Sequence, residues 1–197
     1  MMNIDNIFVN ILAHDELNVN NAEIEKFCFE LAEKDPGRKV SNEGGYQSNI
    51  FDMGKVDVLK NLHREISVRV NDLHNFMGFK LSLIKNVDQC WVNINPPGTY
   101  NSMHTHNGGI FTGIYYVKVP ENSGNLQMIN PIAPFDFVMN QEFIDVHNQF
   151  NNSTVIVRPR ERHLYVFPCW IPHQVQMNLS NEPRISIAFD IEVKKKE

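Results

Sequence analysis

Three histidines and one arginine carry the chemistry this chain could perform. His104 and His106 are two residues apart, His173 lies far downstream, and Arg184-x-Ser186 begins eleven residues after His173. On an extended strand, residues two apart point to one side, so His104 and His106 can offer both imidazoles to one ion, with His173 joining from a neighbouring strand. Three protein ligands leave coordination positions open, as a catalytic metal site requires. An isolated His-x-His is weak evidence by itself. Its weight comes from the cation downstream.

That cation sits on the most regular strand of the sequence. Between Arg184 and Val193, Ile185, Ile187, Phe189 and Ile191 share one face, and Arg184, Ser186, Ala188 and Asp190 share the other. If helices cover the apolar face, the other face looks into a cavity. An arginine and a serine there are costly unless they meet an anion or another partner. Metal and carboxylate binding are therefore expected side by side. The remaining histidines (His14, His63, His74, His147 and His163) have no such spacing, and His63 and His74 are expected on the exposed face of a helix.

The elements that must position these groups follow from periodicity. A strand is expected over Ile7 to Leu12, and a helix from Asn20, with Glu23 completing a capping box and Ile24, Phe27, Cys28 and Leu31 on one face. Pro36-Gly37 ends that helix. Tyr46 to Phe51 reads as a strand. A longer helix follows, with Val58, Leu59, Leu62, Ile66, Leu73 and Phe76 as its apolar stripe. From about Lys80 the period changes to two. Strands are expected over Leu81 to Asn95, Ile110 to Val119, Asn125 to Asn130, Thr154 to Arg158, His163 to Phe167, Gln174 to Asn178 and Arg184 to Val193. Helices followed by short strands argue for an α+β protein. One domain is expected over 1–197, with 1–79 as a helical support and 80–193 as the β core. The polar stretch 140–152 interrupts the strand pattern as a lid or an insertion.

Composition excludes several function classes. A formal net charge of -5 and a single basic run, Lys194-Lys195-Lys196, argue against a nucleic-acid partner. No run approaches the length of a membrane span, and the N-terminus lacks the basic region of a signal peptide. Three scattered cysteines, Cys28, Cys90 and Cys169, read as reduced structural thiols of a cytoplasmic protein, with Cys169 expected to be buried on a strand. Oligomeric state is open, a homodimer being the commonest arrangement.

The segment from Trp91 to Asp190 resembles the Fe(II)/2-oxoglutarate-dependent oxygenases, especially their prolyl-hydroxylase-like branch, with its best match in an uncharacterised microbial and phage group. The likeness rests on Asn95-Pro96…Gly98, His104-x-His106, Gly113-Ile114-Tyr115-Tyr116-Val117, Ser123-Gly124-Asn125-Leu126, Phe167-Pro168-x-Trp170-x-x-His173 and Arg184-x-Ser186. The resemblance implies a double-stranded β-helix, or jelly roll. It implies Fe(II) on His104, His106 and His173. It also implies 2-oxoglutarate as cosubstrate, its distal carboxylate held by Arg184, Ser186 and Tyr116, with Asn95 near another contact. The implied reaction hydroxylates a small molecule or a protein side chain and releases succinate and carbon dioxide.

One departure stands out: His106 occupies the position where most of the superfamily has Asp or Glu. A neutral ligand there leaves the site one unit more positive, and imidazoles also suit zinc, nickel and copper. Two alternatives compete. A cupin-type three-histidine dioxygenase would not use 2-oxoglutarate. Gly98, six residues before His104, fits a cupin motif, but the glutamate expected after His106 and the glycine expected near Trp170 are missing, and Arg184 is unexplained. A non-catalytic jelly-roll binding module would leave the histidines and the arginine unconnected.

Overall fold

The computed structural model describes residues 2–3, 5, 7–80, 87, 89–132, 142 and 144–192. Two antiparallel sheets face each other across the site, and two helices pack on the outside of the larger. The larger sheet contains β1 (Ala13–Glu16), β3 (Tyr46–Gln47), β4 (Phe51–Asp52), β5 (Gln89–Asn95), β7 (Gly109–Lys118), β10 (His163–Pro168) and β12 (Arg184–Glu192). Its order is β1-β10-β7-β12-β5-β3, with β4 also on β5. The smaller sheet runs β2-β6-β11-β8-β9, from β2 (Asn42–Glu43), β6 (Tyr100–His104), β11 (His173–Val175), β8 (Leu126–Ile129) and β9 (Thr154–Val157). This is the expected double-stranded β-helix within an α+β protein.

Helices α1 (Asn21–Lys34) and α2 (Lys60–Phe76) bury one face each. Ile24 and Cys28 of α1 and Leu62, Ile66, Val70 and Leu73 of α2 join Ile185, Ile187, Phe189 and Ile191 of β12 in one core. Each such side chain contributes about 1.5–3 kcal/mol when fully buried. The opposite face of the same sheet packs Trp91, Ile114, Tyr116 and Ala188 into a second cluster with Leu126, Phe167 and Val175. The period-two alternation of β12 therefore separates helix-facing from cavity-facing residues as its sequence predicts.

Several expectations need correction. Ile7–Leu12 is not a strand. The strand is β1, further along, where Ala13–Glu16 pair with Val166 to His163 of β10. Phe8 has a left-handed backbone (φ 55) that breaks an extended run, residues 7–12 join no described strand, and Ile7, Phe8 and Val9 are exposed. Asn20 precedes α1 but makes no side-chain cap bond, so the capping box does not form. Tyr46 to Phe51 splits into β3 and β4. Strand β6 was not anticipated by periodicity. Phe76 is exposed, and Val70 takes its place in the α2 stripe. His74 is buried at 1% exposure, because the chain reverses at Gly78 (φ 71) and brings Phe79 over it. Residues 81–86 and 88 of the first long strand, 140, 141 and 143 of the polar stretch, and the lysine run fall outside the described residues. The described part of 140–152 contains no strand.

Candidate active site

The three histidines converge. His104 ends β6 and pairs directly with His173 at the start of β11. His106 lies two residues beyond β6, in the loop rather than on the strand, anchored by its N–H to the Cys169 carbonyl at 3.0 Å. One ligand atom from each histidine lies within 4.8 Å of the other two. The imidazole centroids are 4.4 Å apart for His104 and His173, 5.0 Å for His104 and His106, and 5.2 Å for His106 and His173.

Two of the rings are held through Nδ1. That of His104 lies 2.7 Å from the Ser102 carbonyl, and that of His173 lies 3.0 Å from the Ile171 carbonyl. A carbonyl can only accept, so Nδ1 carries the proton in both rings and Nε2 is left with a free lone pair. His106 has no such carbonyl. Its Nδ1 lies 2.9 Å from Oδ1 of Asp190 on β12, a contact at hydrogen-bond distance whose alignment falls short of a formed bond. Burial pulls the His173 pKa down to about 3, with the neighbouring His104 adding to the effect. Burial likewise lowers that of His104. Both rings are neutral at physiological pH, the state in which imidazole binds a metal.

The second half of the site lies on the larger sheet. Ser186 is flanked by Asn93 of β5 and Tyr116 of β7. Arg184 is 1% exposed. Its Nη1 donates to the carbonyls of Ser123 and Gln176, and Nη2 has a long 3.4 Å contact with Oδ1 of Asn101. Burial lowers its pKa, yet a guanidinium stays charged. Beside it, the Tyr116 hydroxyl is buried with no hydrogen-bond partner among the described residues, and burial pushes its pKa up to about 12. No carboxylate faces this cation among its described hydrogen bonds and ion pairs. A buried cation next to an unpaired buried hydroxyl suits an incoming carboxylate.

One cavity joins the halves. It is lined by all three histidines and by Arg184, Ser186 and Tyr116, with Trp91 and Asn93 also on its wall, and holds about 440 Å³ of space counting its open mouth. Asn95 does not reach it. Its amide is spent on Asn42 at 2.9 Å and Thr99 at 3.3 Å, and Asn93, two residues earlier, takes the place on the wall. Phe111 is buried on the helix side, and Trp170 is half exposed, bonded to Asn10 at 3.2 Å. Sequence reasoning missed Asn101 as an Arg184 contact and did not connect Asp190 with His106. Gly124 stood there only as part of a motif. At φ 92, Gly124 has no room for a Cβ, which would fall 2.9 Å from Arg184 Nη1. Cys169 is buried as expected, but in the turn after β10 rather than on a strand. Burial raises Cys28 and Cys169 to about 12, which leaves those thiols inert.

A jelly roll that gathers three imidazoles at one end of a cavity and a buried arginine further along the same wall is the architecture of metal-dependent oxygenases. The profile of the family described as "Putative 2OG-Fe(II) oxygenase" matches residues 89–190, just over half of the chain, and the protein belongs to that family. It is thus a 2-oxoglutarate-dependent oxygenase by family, with Fe(II) and 2-oxoglutarate as its cofactors. Solved structures agree in fold. A Pseudomonas putida prolyl-4-hydroxylase superposes with a TM-score of 0.62 at 13% identity, covering 94% of this chain and 93% of that one. A prolyl hydroxylase from Trichoplax adhaerens, solved with a hypoxia inducible factor peptide, gives 0.63 at 16% identity, with 92% and 83% covered. The α-ketoglutarate-dependent epimerase SnoN from nogalamycin biosynthesis gives 0.64 at 14% identity, with 92% and 76% covered. A comparison with curated proteins finds no match. Among the described residues, no helix is long and apolar enough to cross a membrane.

Proposed function

We propose that His104, His106 and His173 hold Fe(II), and that Arg184, Ser186 and Tyr116 hold the distal carboxylate of 2-oxoglutarate, in an enzyme that hydroxylates a small molecule or a protein side chain. The observation that carries this reading is the unpartnered Tyr116 hydroxyl beside the buried Arg184, in the same cavity as the imidazole cluster. The donor set fits the metal: three imidazoles, two of them with the proton fixed on Nδ1 by backbone carbonyls, and no competing thiolate. The cation and hydroxyls fit the dicarboxylate.

Bound iron with 2-oxoglutarate supplies oxidising power from dioxygen, with succinate and carbon dioxide as coproducts. The chain's own residues do the rest. The Ser102 and Ile171 carbonyls keep the proton of His104 and His173 on Nδ1, so that Nε2 stays available. Arg184 is held by the Ser123 and Gln176 carbonyls, so its charge is in place before the ligand arrives. Ser186 and Tyr116 add hydroxyl donors beside it. Asn95 acts one layer back, through Asn42, which also contacts Asn93 at 3.4 Å. Trp91 and Ile114 make the wall between the two polar ends apolar, which limits water near the reacting centre. In this reading 1–79 supports the 80–193 core within one domain of a cytoplasmic enzyme.

Anaerobic loading with Fe(II), followed by oxygen and 2-oxoglutarate, tests the proposal. Stoichiometric metal and succinate formation are expected. Stoichiometric metal without succinate, with or without candidate substrates, would favour the cupin-type reading. No metal uptake would leave a binding module.

A further inference from the structure

Asp190 has no place in the function described so far, yet it lies closer to the metal ligands than any other described carboxylate that contacts them. It stands on the cavity-facing side of β12, six residues and about 20 Å of strand from Arg184. Its Oδ1 approaches Nδ1 of His106 at 2.9 Å and has no other hydrogen-bond partner among the described residues. His106 is the one ligand of the three whose Nδ1 is not bonded to a backbone carbonyl, and the one that replaces the family's usual carboxylate. Around the pair, the Trp91 ring stacks on His106 with centroids 5.9 Å apart, and the Arg38 guanidinium lies 5.2 Å from the centre of the Trp91 ring. The aromatic ring shields the imidazole on one side, and the Asp190 carboxylate favours the charged form of Arg38.

We infer that Asp190 is a positioning residue that turns His106 into the electrical equivalent of the missing ligand carboxylate. A carboxylate accepts only, so it fixes the His106 proton on Nδ1 and leaves Nε2 for the metal, as the carbonyls do for the other two rings. Unlike them it brings a full negative charge, one imidazole away from the ion. The anion that His-x-Asp sites place on the metal is here moved one residue outward and across to the other sheet. A small rotation of either side chain completes the hydrogen bond. The inference rests on the three-histidine metal site and not on 2-oxoglutarate use.

The test is metal affinity at fixed pH, by competition with a chelating dye using anaerobic Fe(II) or Co(II), across a double-mutant cycle of Asp190→Asn and His106→Asp. Asp190→Asn is expected to weaken binding about 10- to 100-fold in the His106 background. In the His106→Asp background, where the ligand itself is anionic, the same change should cost less than about threefold. The metal-free melting temperature checks folding, and Asp190→Ser takes the place of the amide if Asp190→Asn does not fold. Unchanged affinity in Asp190→Asn overturns the inference. So does an equal loss in both backgrounds, which marks a merely structural role. A His106→Asp protein that binds no metal also overturns it, because the two charges would not be interchangeable. Failure of the wild-type protein to take up metal would instead remove the site on which the proposed function stands as well.

Discussion

Replacing Arg184 separates the two halves of the site. In Arg184→Lys the positive charge stays but the planar fork is lost, and in Arg184→Ala both go. A hydrogen bond to a charged group is worth about 1.5–3 kcal/mol, so two of them to one carboxylate amount to about 3–6 kcal/mol, and each 1.4 kcal/mol is tenfold. The dissociation constant of 2-oxoglutarate should therefore rise at least 100-fold in Arg184→Ala and about tenfold in Arg184→Lys. Stability should fall independently. Nη1 serves the buried carbonyls of Ser123 and Gln176, and leaving these without a donor costs about 1–3 kcal/mol each. At about 2–4 °C per kcal/mol for a chain of this size, the Arg184→Ala melting temperature should drop by about 5–20 °C.

The assay is calorimetric titration of 2-oxoglutarate into anaerobic, metal-loaded protein well below its melting temperature, with metal affinity measured separately. The two ends of β12 are too far apart for Arg184 to touch the histidines, so metal affinity should stay within about threefold. Unchanged 2-oxoglutarate affinity in Arg184→Ala would refute the carboxylate role. A parallel loss of metal binding would refute the division of the site into two ends.

Three further outcomes follow from single residues. Tyr116→Phe should weaken 2-oxoglutarate by about 3- to 10-fold while leaving or slightly raising the ligand-free melting temperature, since its hydroxyl is buried without a partner until a ligand arrives. Gly113→Ala should destabilise by about 1–3 kcal/mol in thermal melts, because a Cβ there would run into the Phe189 ring. His74 lies between Phe79 and Phe111 with neither ring nitrogen partnered among the described residues, and burial lowers its pKa. A lowered folded pKa means that the unfolded chain binds the proton more readily, so stability is full above about pH 6.5 and falls as the pH drops below it. His104 and His173 act in the same direction in metal-free protein. His74→Leu should therefore reduce, and not abolish, the acid sensitivity seen in melts between pH 7 and pH 5.

The parts of the site visible in sequence were those written in one strand. Alternation along β12 put Arg184, Ser186 and Asp190 on one face because a strand's period does not depend on its partners. Relations between strands were not legible. The register His173↔His104, and the pairing of Ser186 with Asn93 and Tyr116, depend on the order and register of strands within each sheet. The Asn95 position was missed by one strand repeat: Asn93 and Asn95 share a face, and the hydrogen bonds of the Asn95 amide to Asn42 and Thr99 leave Asn93 as the one on the cavity wall. His74 was misplaced because helical periodicity cannot show the chain reversal at Gly78 that covers the last turn. Ile7–Leu12 has strand-like residues, but Phe8 is left-handed (φ 55) and the segment joins no described strand, which hydrophobic pattern alone does not show.

The position of the charges joins these observations. In a His-x-Asp site, the metal's two positive charges meet one ligand carboxylate, the cosubstrate brings two negative charges, and the arginine brings one positive, so the cavity closes neutral. With His106 the same sum leaves one uncompensated positive charge in a cavity whose walls include Trp91 and Ile114, where an unbalanced charge is expensive. Asp190 restores neutrality without occupying a coordination position. The restored charge is farther from the ion, which weakens its pull by distance and leaves the metal the stronger Lewis acid. Its side chain is also 27% exposed, so solvent screens it more than a ligand carboxylate would be screened. A site built this way should hold its metal less tightly than a His-x-Asp site on the same scaffold, and the His106→Asp, Asp190→Asn protein measures that difference directly. Tighter binding in the double variant than in the wild type is the expected sign.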